Sequence, residues 1–394
     1  MPKEYRDKVN SLLEKIESCG LEIPEFSPGR TPTQAFSQFL INKRQGDWAE
    51  RIVLNAINET FDDIIAVRYG RSEDIIAGEE GFEEFYAEYQ RELSEIGKRP
   101  DILIFYKDEY FKLRSLYSLH GNKYDISMQS RDKLDKIVPH AIAGLEVRSS
   151  SFLVDKHRTY IETEIQKLLE EALKLVQTIR ERKLSSLPSP WKKWIAHINS
   201  INDLRYALAE IPRLSQTRDA KIQEFMDTIK MIKTKYDALS SKQLSFTPKV
   251  EDLAVIKQWI NTYGVPHYYV QVFFDRIYAI SFTRILEIVS NGLQQIKRRP
   301  LPKMVKSEKF KIDRQPKNQF KITIYLDINE GVHIGDVCEG EYCPTDENHL
   351  PELAGKYTVL NDGRVIVAVD FVGGYAKIYE DRFLSLIGLR NNDG

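Results

Sequence analysis

Apolar and polar positions along the chain change period several times, and each change marks an element. Residues 3–18 carry Val9, Leu12, Leu13 and Ile16 at helical spacing with charges between them, which predicts an amphipathic helix. Gly20, Pro24, Pro28, Gly29 and Pro32 make 20–34 a linker, after which Thr33 stands where it can cap a helix running to Ile41. QGDWAERIVLNAINETF (45–61) predicts a clearer helix. Asp47 caps its start, Trp48, Ile52, Leu54, Ala56 and Ile57 build its apolar side, and Glu50 lies in its first turn. IIAVRYG (64–70) predicts a strand, and the Glu- and aromatic-rich stretch after it predicts a helix from Gly81. GKRPDILIFY (97–106), a breaker followed by an apolar run, predicts a core strand, and AIAGLEVRSSSFL (141–153) a second one. Residues 107–139 between them read as a polar insertion or helical excursion.

A long helix over 157–184 follows, with Ile161, Ile165, Leu168, Ala172, Leu175, Val176 and Ile179 mostly three or four residues apart. Leu187-Pro188-Ser189-Pro190 ends it, and 191–240 reads as further helices around Ile222, Phe225, Met226, Ile229 and Ile232. Residues 264–282 predict two strands rich in β-branched and aromatic residues, turning at Asp275 and Arg276, and 283–296 a helix. Residues 321–394 read mainly as strands, with a hairpin signal in NDGR (361–364) and a short helix near 380–387. There is no internal repeat and no low-complexity segment.

Composition narrows the class. The chain has 394 residues, 42% of them hydrophobic and 29% charged, well away from a disordered composition and long enough to bury a full core. That length fits two or three domains, or one large domain with insertions. Fifty-seven Lys and Arg against 58 Asp and Glu leave a formal charge of −1, so a uniformly basic coat is excluded and a local basic patch is not. Cys19, Cys338 and Cys343 are too few for a disulfide framework and fit a reducing compartment. The N-terminus lacks a signal-peptide apolar core, and no run approaches a membrane span. A soluble cytoplasmic protein is expected, with no membrane partner. Without a GxxxxGK[ST] or GxGxxG motif, no nucleotide cofactor is expected either.

The chemistry concentrates in Pro100-Asp101 and Glu146-Val147-Arg148. Alternate strand residues share a face, so Glu146 and Arg148 project together, about 6.6 Å apart along the chain. If the two predicted strands pair, Asp101 and Glu146 converge on one hard cation such as Mg²⁺, which needs only one or two carboxylates beside waters and phosphate. Arg148 would then stand beside the scissile phosphate as a fixed positive charge. The plainer alternative, Asp101 ending a strand and Glu146 pairing with Arg148 on a surface, stays open on spacing alone.

These residues, with GKRPDILIF (97–105), EVRSSSF (146–152), NKRQGDWAE (42–50) and YGVPHYYVQVFFDRIYAISF (263–282), resemble type II restriction endonucleases of the PD-(D/E)xK nuclease superfamily, the AccI type among them. The resemblance spans about 31–290. It implies an α/β fold with a mixed central β-sheet flanked by helices. It also implies a Mg²⁺-dependent endonuclease, with Mn²⁺ able to substitute, that cuts double-stranded DNA at a short, usually palindromic site. Asp101 and Glu146 would be the metal ligands, with the Val147 carbonyl beside them, and Glu50 a helical carboxylate near the metal. Position 148 should be the motif lysine and is Arg, which stays charged and cannot act as a base. The functional lysine would then be unnecessary or come from elsewhere, such as Lys98 or Lys156. A palindromic site calls for two-fold symmetry, hence a homodimer.

Between residues 297 and 321, ten basic residues stand against two acidic ones. Lys297, Arg298, Arg299, Lys303, Lys306, Lys309 and Lys311 lead this run, and Pro300, Pro302 and Pro316 should keep it extended along a phosphate backbone. A solvated linker is the alternative. His333, Cys338, Cys343 and His349 have spacers that match no usual zinc signature, and Trp48, Trp191, Trp194 and Trp259 sit in apolar helical patterns as core residues. The expected organisation is an N-terminal helix and linker (1–30), a nuclease core with a helical insertion (31–290), and a basic segment with a β-rich C-terminal region that helps read DNA (291–394). Two rivals remain: a repair or junction-resolving nuclease of the same superfamily, and a DNA-binding protein whose catalytic site has decayed, for which Arg148 is the best argument.

Overall fold

The computed structural model describes the chain apart from residues 1, 34, 72–74, 183–186, 214–216, 297–299, 308, 315–321, 339–350, 361–362 and 391–394. It divides into two compact units, one of residues 1–153 and 245–394, the other of residues 154–244.

The first unit is built on a seven-stranded sheet. Its strands are β1 (Ile64–Arg68), β2 (Ile102–Tyr106), β3 (Ala143–Ser149), β5 (His267–Val272), β6 (Arg276–Ser281), β10 (Val332–Cys338) and β13 (Tyr375–Ile378), in that spatial order. β3 and β5 run parallel, and every other neighbouring pair is antiparallel. Parallel neighbours need a crossover, and the chain between them contains residues 154–244, then β4 (Ser245–Phe246) and α10 (Val250–Tyr263). β10 and β13 come from beyond residue 290, so the sheet draws strands from both ends of the unit.

Alternation gives the sheet its core. Ile102, Ile104, Ala143, Leu145, Val147, Val270, Val272, Ile277 and Ala279 face one way and pack with Trp48, Ile52, Val53 and Ala56 of α2 (Ser37–Thr60). Phe383 of α12 (Glu380–Leu386) joins the same cluster. On α1 (Pro2–Ser18), Val9, Leu13 and Ile16 are buried, and this helix packs on α10 and α11 (Phe282–Gln295). α3 (Phe82–Glu95), α4 (Lys107–Leu116) and α5 (Arg131–Ile137) fill the connections among β1, β2 and β3.

Two local expectations are corrected. The helices expected over 33–41 and 45–61 are one continuous α2, so Asp47 is an interior residue. It pairs with Lys43 at 3.1 Å, one turn back, instead of capping. A helix-interior glycine costs about 1 kcal/mol relative to alanine; at Gly46 the buried residues Leu40, Trp48, Ala49 and Ile52 on either side outweigh that cost. The basic segment is not extended throughout. β7 (Met304–Lys306) and β8 (Phe310–Asp313) pair as a hairpin in a small sheet, ordered β4, β9 (Thr323–Asp327), β8, β7. Val305, Phe310, Ile312, Ile324 and Leu326 are its buried alternate positions, a period-two signal interleaved with lysines. Pro300 and Pro302 precede β7 and do not interrupt its ladder. β11 (Glu352–Val359) and β12 (Val365–Val372) form the hairpin expected around NDGR, whose first two residues lie outside the described set.

The second unit is helical: α6 (Val154–Glu181), α7 (Ser189–Ala196), α8 (Ile201–Ala207) and α9 (Ala220–Ser240). Leu169, Ala172, Val176, Trp191, Leu204, Ile222, Met226 and Ile229 form its core. Ser200 and Asp203 make a reciprocal capping box at the start of α8.

Candidate active site

The ladder between β2 and β3 runs from Ile104↔Ala143 to Ile102↔Leu145 and stops. Asp101 and Glu146 are the next residues on each strand, opposite each other on one face where the strands part. With no strand partner on that side, the Val147 N–H donates to Asp101 Oδ2 at 2.7 Å. Leu145 and Val147 turn into the core, so Glu146 and Arg148 take the other face. Glu146 is 1% exposed. Its Oε1 accepts from Lys98 Nζ and pairs with Arg148 Nη2 at 2.5 Å. Its Oε2 is buried with no hydrogen-bond partner among the described residues. Asp252 Oδ2, in the first turn of α10, lies 3.8 Å from Lys98 Nζ and 3.7 Å from Arg148 Nη2.

The backbone around these groups is tightly held. Tyr69 and Gly70 N–H both donate to the Asp101 carbonyl at 2.9 Å. A Cβ on Gly70 would lie 2.9 Å from Asp101 Cα, so no larger residue fits there without displacing the aspartate. Gly97 adopts φ +85° and abuts α10, where the Lys98 N–H donates to Val255 O at 3.0 Å and fixes the base of the lysine.

These groups open onto a cleft of about 640 Å³. α2 contributes Lys43, Gln45, Gly46 and Glu50 to its wall, and the end of β3 contributes Ser149, Ser150 and Ser151. Burial pushes the Glu50 carboxyl up to about 7, with Asp47 adding to the rise and Arg68 opposing it. Burial, then Glu146 and Glu50, push Asp101 well above the usual carboxylate range. Burial alone would also raise Glu146, but Lys98 and Arg148 outweigh it and hold that carboxyl at about 2. Lys98 feels burial and Arg148 pulling its pKa down. Glu146, Asp252 and Asp101 more than compensate, so the ammonium keeps its proton. Beneath Glu146 lie His267 and Tyr269. Burial lowers His267 to about 4, and both its ring nitrogens and the Tyr269 hydroxyl lack hydrogen-bond partners among the described residues.

Asp101, Glu146, Val147, Arg148 and Glu50 therefore share one cleft, and Lys98 lines it with them. Lys156 belongs to the helical unit. Of the basic run, Lys297, Arg298 and Arg299 lie outside the described residues. Lys303 and Lys306 are exposed, Lys309 pairs with Glu330 at 2.9 Å, and Lys311 stands 5.4 Å from the Tyr325 ring centre. His333 bonds to Asp336 at 2.9 Å and stacks on Tyr278, while Cys343 and His349 lie outside the described residues. Trp48, Trp191 and Trp259 are fully buried, and Trp194 packs against the helical core. Sequence reasoning missed Asp252, His267 and Tyr269. For His267 and Tyr269 the parallel register Gly144↔His267 and Glu146↔Tyr269 sets alternate residues of HYYVQV on the Glu146 face, whereas Asp252 arrives from α10 and left no local signal.

The donor set suits a hard cation. Of the carboxylates that line the cleft, Asp101, Glu146 and Glu50 influence one another, two of them with raised proton affinity, and a buried Glu146 oxygen has no partner among the described residues. Among the described residues no three His, Cys, Asp or Glu side chains are grouped so that they could hold a metal ion between them. Two carboxylates, with waters and a substrate phosphate, are enough for Mg²⁺.

The sequence matches the family model of the AccI restriction endonucleases over residues 4–393. Neither a curated protein nor a solved structure gives a significant match. The family match is longer than the 31–290 span over which the motifs resemble such enzymes; it includes α1, β10, β13 and the β11–β12 hairpin. The chain belongs to the AccI restriction endonuclease family.

Proposed function

We propose that this restriction endonuclease is a type II enzyme of the PD-(D/E)xK kind, a homodimer that hydrolyses a phosphodiester bond in double-stranded DNA at a short palindromic site with Mg²⁺, or Mn²⁺ in its place. The observation that carries this reading is the pair Asp101 and Glu146, opposed where β2 and β3 part, with one Glu146 oxygen unpartnered and two cations at the other. Asp101 and Glu146 Oε2 would hold the ion, with the Val147 carbonyl beside them. When bound, it polarises the phosphate and lowers the pKa of the attacking water.

The remaining residues divide the work. Arg148 places a permanent positive charge where negative charge grows on the phosphate. Lys98, protonated and tied to Glu146, adds a second charge and takes the place left by the absent motif lysine. Neither cation can accept a proton. Glu50, with its proton affinity raised to about 7, is the group able to take one from water near neutral pH. Lys303 and Lys306, with Lys297, Arg298, Arg299, Lys309 and Lys311, supply phosphate contacts that position the duplex.

Replacing Asp101 by Ala should abolish Mg²⁺-dependent cleavage of plasmid DNA and leave DNA binding largely intact. Unchanged cleavage would sink the site assignment. Wild-type ends that map to one short repeated sequence support the type II reading, and scattered ends favour a repair or junction-resolving nuclease.

A further inference from the structure

The β11–β12 ribbon has two unlike faces. Ile366 and Ala368 point inward and pack with Leu40, Ile76, Ala77 and Leu360. The register pairs Tyr357 with Val367 and Val359 with Val365, so these residues occupy the opposite face, joined on β11 by Leu353; Phe371, across from Leu353, instead turns into the main core beside Trp48. There Leu353 is 62% exposed, Tyr357 71%, Val359 57%, Val365 55% and Val367 62%. Five large apolar side chains on two adjacent strands make a contiguous exposed patch, unlike the isolated exposed apolar residues Met128 and Tyr206 elsewhere on the chain. Contiguous patches of this kind mark sites of association.

We propose that this face is the contact between two copies of the chain, the apolar faces of two ribbons packing against each other across a two-fold axis. The proposal rests on the homodimer reading above and supplies its surface. The chemistry of the face selects the occupant. It carries no basic side chain, because Lys356 lies on the other face and pairs with Asp370 at 3.0 Å. A duplex, held chiefly through its phosphates, finds nothing there to bind. The face is also complementary to itself. Gly355 sits between Leu353 and Tyr357, and a side chain at that position would meet nothing within 4 Å. The result is a notch flanked by two knobs, and a two-fold axis sets each knob of one copy over the notch of the other. Packing a second ribbon on this uncovered face also completes a sandwich. The ribbon is fastened to α2, the helix that carries Glu50, through Arg44 and Asp370 at 3.2 Å and through Trp48 Nε1 and Gly373 O at 3.0 Å. Association through it would therefore fix the two clefts relative to each other.

Sedimentation of the full chain, free and on duplex DNA, tests this. Wild type should be a dimer. Tyr357→Lys and Val367→Lys should each raise the dimer dissociation constant about thirtyfold or more. Met128→Lys and Tyr206→Lys, at residues equally exposed but isolated, should leave it unchanged. A dimer indifferent to both ribbon variants overturns this proposal and leaves the homodimer reading standing; a wild-type monomer in both states overturns both. A variant that loses thermal stability with its oligomeric state unchanged shows a face covered from within its own chain. One that loses DNA affinity with its mass unchanged shows a DNA-reading face. Either result also overturns the proposal. Cleavage of nicked and intact plasmid by the same variants reads the nuclease activity separately.

Discussion

The end of the β2–β3 ladder and the helical unit of residues 154–244 use buried space in opposite ways. The helical core is built from Leu, Ile, Val, Ala, Met and aromatic side chains, and no polar or charged residue among the described positions of 154–244 is buried. In the sheet unit, Gln45, Glu146, His267 and Gln271 are buried at or next to the cleft. Glu146, His267 and Tyr269 there keep polar atoms without partners among the described residues. An unsatisfied buried polar atom costs about 1–3 kcal/mol. The cleft therefore carries a standing cost that the helical unit avoids. On the proposed function such residues are arranged for a ligand, whereas the helical unit is arranged for stability.

Substitutions in the two regions should therefore have opposite signatures. Asp101→Asn should reduce single-turnover cleavage at least about a thousandfold. It should leave the metal-free protein as stable as wild type or more so, because it removes one of three crowded carboxylates. Calorimetry in chelator reads the second half; a large loss of stability would erase the contrast. Trp191→Ala, in the helical core, should cost about 3–5 kcal/mol in urea unfolding. A cost under about 1 kcal/mol would show that this core is not what holds the helices together.

Two smaller effects sharpen the picture of the cleft. A carboxyl whose pKa is higher in the folded state stabilises the fold below its unfolded value and loses that contribution as pH rises through the folded value. For Glu50 the window runs from about 4.5 to about 7. The metal-free melting temperature should accordingly fall between pH 5 and pH 8, and Glu50→Gln should flatten that slope. An unchanged slope would remove Glu50 from the set of strained carboxylates. Replacing Lys303 and Lys306 by Ala should lower the logarithmic salt slope of DNA binding by about 0.9 for each phosphate no longer neutralised. An identical slope would take β7 out of the DNA interface.

Much of the cleft was legible locally. Asp101 precedes an apolar run, and Glu146 and Arg148 alternate with core residues, so their shared face follows from strand geometry alone. Glu50 was legible as a first-turn carboxylate only through a mistaken helix start; in α2 it is an interior residue that the packing of Trp48 and Ile52 turns along the sheet. Asp252 and His267 were not legible, because their place depends on α10 and on the parallel register of β5. Residues 321–394 read mainly as strands, but that reading singled out neither β10 nor β13, and nothing in their period says which sheet they join.

The amino-acid order alone set the periods, hence the elements, and which residues could carry charge or bind a metal. It also placed Arg at position 148, and with it the absence of a base there. Which elements meet was left to long-range packing. Packing brought Lys98 to Glu146 across 48 residues, ended the ladder at Ile102 so that Asp101 faces Glu146, and buried both carboxylates beside Glu50. The physical reason is that period is a property of neighbours along the chain. Desolvation and the coupling of charges depend on distances that only the folded chain sets.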